Sequence, residues 1–300
     1  MLNALFPHYT YRRMILSTLA RCGRGTGMWR QRLAAENWQL YRQYCRRKFD
    51  CNVCGQRGHP FFDFPDPVLR REHGIGHLRE TLQCRACGAT MRHRTLATML
   101  LRALSARSGR TIPKITEVRA QDLAGLHVLD TDAFSPISRR LKQWPGYFIS
   151  SFRPDLPFDT EIEPCYVNVN LEHMGFETDS FDIVMTSDVM EHVRGIENAH
   201  DEIARILRTG GQYIFTVPYD PAIAGHKILV DTSGEQDVTL EEPHYHGDPL
   251  TGGILAYRIF GQQIFADLSA LGLNTELLYI EDDQSLIRRG DVFVATKLAA

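Results

Sequence analysis

Two groups of residues in this 300-residue chain have the types and spacing that chemistry needs. The first is a matched pair of C-x-x-C-G knuckles, Cys51-Asn52-Val53-Cys54-Gly55 and Cys84-Arg85-Ala86-Cys87-Gly88. Two thiolates separated by two residues, with glycine at the turn, form half of a tetrahedral sulfur site. Cys51, Cys54, Cys84 and Cys87 together suit zinc, with a rubredoxin-type iron site as the alternative metal. Four sulfurs leave no open coordination position, so such a metal holds a fold together rather than catalyses. His59, His73 and His77 lie between the pairs and could replace a thiolate, but four cysteines already complete the shell, so they read as loop or surface histidines. The second group is Ser187-Asp188 followed by Glu191-His192, polar residues that leave the end of an apolar run.

Periodicity identifies the elements that must position this second group. Residues 181–185 are apolar apart from Asp182 and include the β-branched Ile183 and Val184, which predicts a buried strand. Ile196, Ala199, Ile203, Ala204, Ile206 and Leu207 then mark one side of a helix, and Gly210-Gly211 stops it. Residues 212–217 form a second strand, closed by Pro218. A strand, crossover helix and strand build a parallel sheet, which takes ligands at the carboxyl ends of its strands. Upstream, 127–130, 147–152 and 166–170 read as three more strands, and Ser135-Pro136 opens a short helix. Downstream, 261–271 reads as a helix, and 275–281 with 291–296 as a terminal strand pair. Residues 96–104 predict a helix, and 105–114 a linker.

The run FD, apolar residues, SDV-x-EHV, then EIAR-x-L-x-x-GG and a strand ending T-V-P, resembles the central block of class I S-adenosylmethionine-dependent methyltransferases. The expected fold class is α/β: a doubly wound Rossmann-like methyltransferase sheet with a small N-terminal zinc-ribbon module and a basic helical arm. Expected divisions are an arm over 1–50, a ribbon and connecting helix over 51–110, and a methyltransferase domain over 111–300.

The resemblance implies S-adenosylmethionine as cofactor, with Asp130, Thr131 and Asp132 near its charged end and Ser187 and Asp188 beside them. Most class I enzymes carry G-x-G after the first strand, and this chain has none there. Some zinc-ribbon relatives likewise place Thr and an acid ahead of a Pro-containing helix. The second strand offers Ser151 for the ribose, where an acid is usual, with Asp155 slightly beyond. Asn170 stands where relatives carry an Asp near the adenine amine, and Leu171 would present its backbone to the ring. His192 is the first candidate general base, with His246 and Tyr219 behind it. Residues 220–253 interrupt the domain with the Pro-, His- and acid-rich Glu241–Pro249 segment, and read as an acceptor-side lid in the form of a polar loop.

Composition bounds the remaining classes. A hydrophobic fraction of 43% with 23% charged residues is ordinary for a globular chain. The formal net charge of -2 gives the whole molecule no electrostatic case for nucleic acid. No apolar run approaches the roughly 18–20 residues of a membrane span, and no signal-peptide core develops, which predicts a cytoplasmic protein. Charge is uneven, though: residues 1–50 hold ten Lys or Arg against Glu36 and Asp50, interleaved with aromatics, and 31–46 could be helical. Such an arm reads as a solvated extension, or as a peripheral contact with an anionic membrane surface. Arg85, Arg92 and Arg94 on or just after the second knuckle supply a rival reading, an RNA- or ribosome-associated methyltransferase. A degenerate scaffold that has lost catalysis is the third. The reading favoured by the sequence is methyl transfer to a small-molecule or glycan acceptor.

Overall fold

The computed structural model describes Tyr44 and residues 47–62, 78–246 and 253–299. Residues 1–43, 45 and 46 of the basic arm, with nearly all of its expected helix, and His73 and His77 lie outside the described residues.

One eight-stranded sheet carries the domain. Its strands are β1 (Val128–Asp130), β2 (Tyr147–Ser151), β3 (Thr160–Glu163), β4 (Tyr166–Asn168), β5 (Phe181–Ser187), β6 (Leu207–Thr216), β7 (Leu273–Asp282) and β8 (Ile287–Lys297). Their order is β7-β8-β6-β5-β1-β2-β4-β3. The run from β6 to β4 is parallel, while β8 joins β6, and β3 joins β4, antiparallel. Strand order reverses at β1, which pairs with β2 on one side and β5 on the other. Doubly wound sheets take their ligands at such a switch point, here the carboxyl ends of β1 and β5.

Alternation along the central strands fills two cores. Val128, Ile183, Met185 and Ile214 face one side, whereas Leu129, Val184, Tyr213 and Phe215 face the other. The second face is covered by α4 (Ile196–Ile206) and α5 (Gln263–Ala270), which bury Ala199, Ile203, Ile264 and Leu268. The first is covered by α2 (Met91–Ser108), through Leu96, Leu100 and Leu104. Helix α2 lies directly on β8: a Cβ on Gly290 would sit 2.2 Å from Thr95 Oγ1. Short helices α1 (Leu78–Thr81) and α3 (Ser138–Leu141) lie before α2 and after β1.

The ribbon shares the first core. Phe49, Cys51, Val53, Leu82 and Ala89 belong to the same buried cluster as Val128, Ile280 and Ile287. Fully buried Arg94 stitches the parts together, donating to the carbonyls of Leu82, Ala89, Ser285 and Leu286.

Several elements differ from expectation for identifiable reasons. Helix α2 extends over what reads as linker, because Thr90 caps it through His93 N at 3.3 Å and Gly109 ends it in the left-handed region. Leu207 belongs to β6 instead of the preceding helix, since it pairs with Phe181. Gly210 and Gly211 then lie in an irregularity of that strand, and a Cβ on Gly211 would meet the Arg208 carbonyl at 2.8 Å. The described part of the insertion, 220–246, is structured and not a plain loop. Lys227–Ile228 pairs with Arg258–Ile259, Val230–Asp231 with Val238–Thr239, and Tyr245–His246 with Ile254–Leu255. Among the described residues, no helix is long and apolar enough to cross a membrane.

Candidate cofactor edge and metal centre

The four knuckle cysteines converge. Their sulfurs all lie within 4.8 Å of one another, with Cys51–Cys87 at 3.8 Å and Cys54–Cys84 at 3.6 Å. A tetrahedron with 2.3 Å metal–sulfur bonds has edges of about 3.8 Å, so the donor set is compatible with a bound metal ion. The two knuckles repeat each other: Gly55 N donates to Cys51 O and Gly88 N to Cys84 O, both at 2.8 Å. Both glycines have φ near +75°, where a Cβ would be strained. The separations are far beyond a disulfide bond, and none of the four is in a disulfide.

The ribbon presses a charged cluster against the carboxyl edge of the sheet. Arg79, on α1, forks Asp188: Nη1 donates to Oδ2 at 2.5 Å and Nη2 to Oδ1 at 2.7 Å. Arg79 also faces Glu80 at 2.8 Å and Asp291 at 3.4 Å. Arg92, in the first turn of α2, donates to Glu80 from Nε and Nη2, and to the Ser187 carbonyl and hydroxyl from Nη1. Burial alone would raise the Glu80 carboxyl, but the Arg92 charge and then Arg79 hold it down at about 2. Desolvation likewise opposes ionisation of Asp188, and the Arg79 charge overrides it, leaving Asp188 well below the carboxylate range. Asp188 has φ of +51°, a conformation that costs a non-glycine residue about 1–3 kcal/mol and clusters at functional sites. The sequence missed Arg79 and Glu80 because no motif or periodicity singles them out between the cysteine pairs.

Next to this cluster, β1 ends in Asp130, Thr131 and Asp132. Asp130 is buried and faces inward, accepting from Ser138 Oγ at 2.6 Å, Tyr147 OH at 2.7 Å and Asp132 N at 3.0 Å. Burial, then the Asp132 charge, raises it to about 6. These bonds brace the turn in which relatives use glycine. Asp132 lies 3.5 Å from His93 Nε2. Thr131 Oγ1 is buried with no partner among the described residues.

The other predicted contacts lie further along the same edge. Ser151 Oγ bonds Tyr166 OH at 2.7 Å, while Asp155 is exposed and paired with Arg153. Asn170 Oδ1 accepts from Glu172 N at 3.1 Å, and Leu171 is buried. Phe134 and Phe152 are exposed beyond β1 and β2, with Phe152 stacked on Phe158. The predicted residues thus divide between a charged end at β1 and β5 and a more apolar end at β2 and β4.

His192 belongs to the turn Met190–His192 that follows Asp188. Its Nδ1 lies 2.8 Å from the Leu255 carbonyl, and its Nε2 3.6 Å from Glu191. The segment that follows the insertion docks on this turn: Tyr257 N donates to Glu191 O at 2.8 Å, and Arg258 Nη1 to Val193 O at 2.6 Å. Tyr219 packs edge-on against Phe293 and Phe265, and burial raises its phenol. His246 pairs through its backbone with Ile254.

The charged end fits an adenosyl amino acid on two observations, an orphaned buried hydroxyl at Thr131 and an Arg79–Asp188 pair of opposite charges. The Methyltransferase domain family matches residues 149–215, from within β2 almost to the end of β6. No curated protein matches the chain. Among solved structures, a chain of a Haloferax volcanii complex containing the Trm112 methyltransferase activator is similar at 16% identity, covering 59% of this chain and 83% of its own, with TM-score 0.38. A Clostridium acetobutylicum S-adenosylmethionine-dependent methyltransferase is similar at 10% identity over 58% of this chain and 84% of its own, with TM-score 0.37. One from Mesorhizobium loti is similar at 16% identity over 59% and 96%, with TM-score 0.34. The matched segment lies within a sheet whose strand order is that of a Rossmann-like methyltransferase fold.

Proposed function

We propose that this methyltransferase transfers a methyl group from S-adenosylmethionine to a small-molecule or glycan-type acceptor, with a zinc-bound ribbon as a structural part of the domain. The carrying observation is the carboxyl edge of β1 and β5, where Thr131 and Asp132 follow one strand end and Ser187 and Asp188 lie at the other. Bound there, the cofactor supplies an electrophilic methyl group and its own leaving group. The chain then has to align an acceptor and keep water out.

Each part of the edge has a task in this reading. Asp132 and Asp188 take the charged amino-acid end, and the Thr131 hydroxyl takes one further polar group. Ser151 serves the ribose, while Asn170 and Leu171 line the adenine end beside Phe152. The insertion roofs the acceptor side, and His192 holds it through the Leu255 carbonyl. His192, His246 and Tyr219 are the groups near the acceptor side that could accept a proton.

The fate of the ribbon arginines favours a small acceptor over RNA. Arg94 is fully buried and Arg92 is spent on Glu80 and Ser187, which leaves Arg85 as the exposed member of the three. Four reduced thiols also suit the cytoplasm. The test is transfer of labelled methyl from S-adenosylmethionine into size-fractionated cell extract. Label in the low-mass or glycan fraction supports the acceptor class, and label in RNA overturns it.

A further inference from the structure

The fork between Arg79 and Asp188 joins the ribbon to the strand end that would carry the cofactor. Two unlike groups stand face to face there: a guanidinium with parallel donors, and a carboxylate in a strained left-handed backbone. An α-amino acid carries the complementary pair, a carboxylate and an ammonium on neighbouring atoms. Insertion between Arg79 and Asp188 exchanges one ion pair for two and leaves the net charge of the cluster unchanged. A lone anion has no such place, because Glu80, Asp188 and Asp291 already outnumber Arg79 and Arg92. A lone cation would leave the Arg79 fork without its partner.

We infer that Arg79 and Asp188 form the receptor for the amino-acid end of the cofactor, the ribbon arginine taking the carboxylate and the strand-end aspartate the ammonium. The inference rests on the methyltransferase reading above and adds a ligand-binding residue from the ribbon module. Without ligand the two side chains satisfy each other, so the closed pair lowers apparent affinity without blocking it. Arg92 and Glu80 keep Arg79 aimed, since Glu80 bridges both arginines.

The experiment is calorimetry on the full-length, zinc-loaded chain with three probes: S-adenosylhomocysteine, its analogue lacking the carboxylate, and 5′-methylthioadenosine, which lacks the whole amino-acid end. Expected is an affinity for S-adenosylhomocysteine at least about tenfold above either other probe, the scale of a charge-assisted pair. In Arg79→Gln that advantage collapses, while 5′-methylthioadenosine binds within about twofold of the parent chain, which also reports an intact adenosine end. Equal affinity of the parent chain for all three probes overturns the inference and spares the methyltransferase reading. Failure to bind any of them overturns both. Retained discrimination in Arg79→Gln overturns the role of Arg79, and the carboxylate-free analogue tests the same contact without any substitution.

Discussion

Arg79 and Asp188 are 109 positions apart in sequence, yet their side chains meet through two hydrogen bonds of 2.5 and 2.7 Å. The contact joins a ribbon helix of four residues to the end of the central strand β5. Both side chains are mostly buried, at 13% and 17% exposure, so each depends on the other for its solvation. Asp188→Asn should cost about 1–3 kcal/mol in urea unfolding, because Glu80 and Asp291 still partner Arg79. In a double-mutant cycle, Arg79→Met with Asp188→Leu should return a coupling of at least about 1 kcal/mol. Simple additivity would show the pair to be energetically idle.

Acidity should act on two sites with opposite signs. Asp130 holds its proton to about pH 6 when folded, so its stabilising contribution is full below the unfolded value and falls as pH rises to about 6. Glu80, held at about 2, contributes above its unfolded value and loses that contribution as pH falls toward 2. Asp130→Asn should therefore gain up to about 3 kcal/mol relative to the parent chain between pH 4 and 7. An unchanged difference across that range would contradict the buried acid.

Metal content should follow the thiolates. The purified chain should carry one zinc per molecule, and Cys84→Ser should lose most of it with a lowered Tm. Because Phe49, Val53 and Leu82 share the buried core with Ile287, chelation should loosen the whole domain instead of the ribbon alone. Melting of a separate ribbon transition would contradict that shared core.

His192 should act as a fastener of the insertion. With Nδ1 donating to the Leu255 carbonyl, His192→Ala should speed proteolysis within 220–253 several-fold, roughly the effect of losing about 1 kcal/mol of local stability. His192→Gln, whose amide can still donate, should recover part of it. Unchanged proteolysis together with lost turnover would instead mark His192 as a base alone.

Much of this was legible because it is local. Residues 181–217 announce strand, helix and strand through apolar spacing, and the cysteine pairs announce their cluster through repetition. The doubly wound class of the sheet followed from the family resemblance. What escaped depends on distant partners. Arg92 and Arg94 read as part of a basic set that RNA could meet, but Arg94 is buried because four carbonyls converge on it. Leu207 continues a helical period, yet strand pairing with Phe181 claims it. The insertion pairs Lys227 with Ile259, a separation no short-range pattern reports. Edge strand β3, TEIE with partly exposed residues, carries little apolar signal.

Binding of S-adenosylmethionine to the full-length, metal-loaded chain, followed by calorimetry at neutral pH, bears most directly on the whole account. Saturable binding at one site per chain is predicted, weakened in Asp132→Ala and abolished in the Asp132→Ala, Asp188→Ala double variant. No detectable heat or binding in the folded parent chain would contradict it.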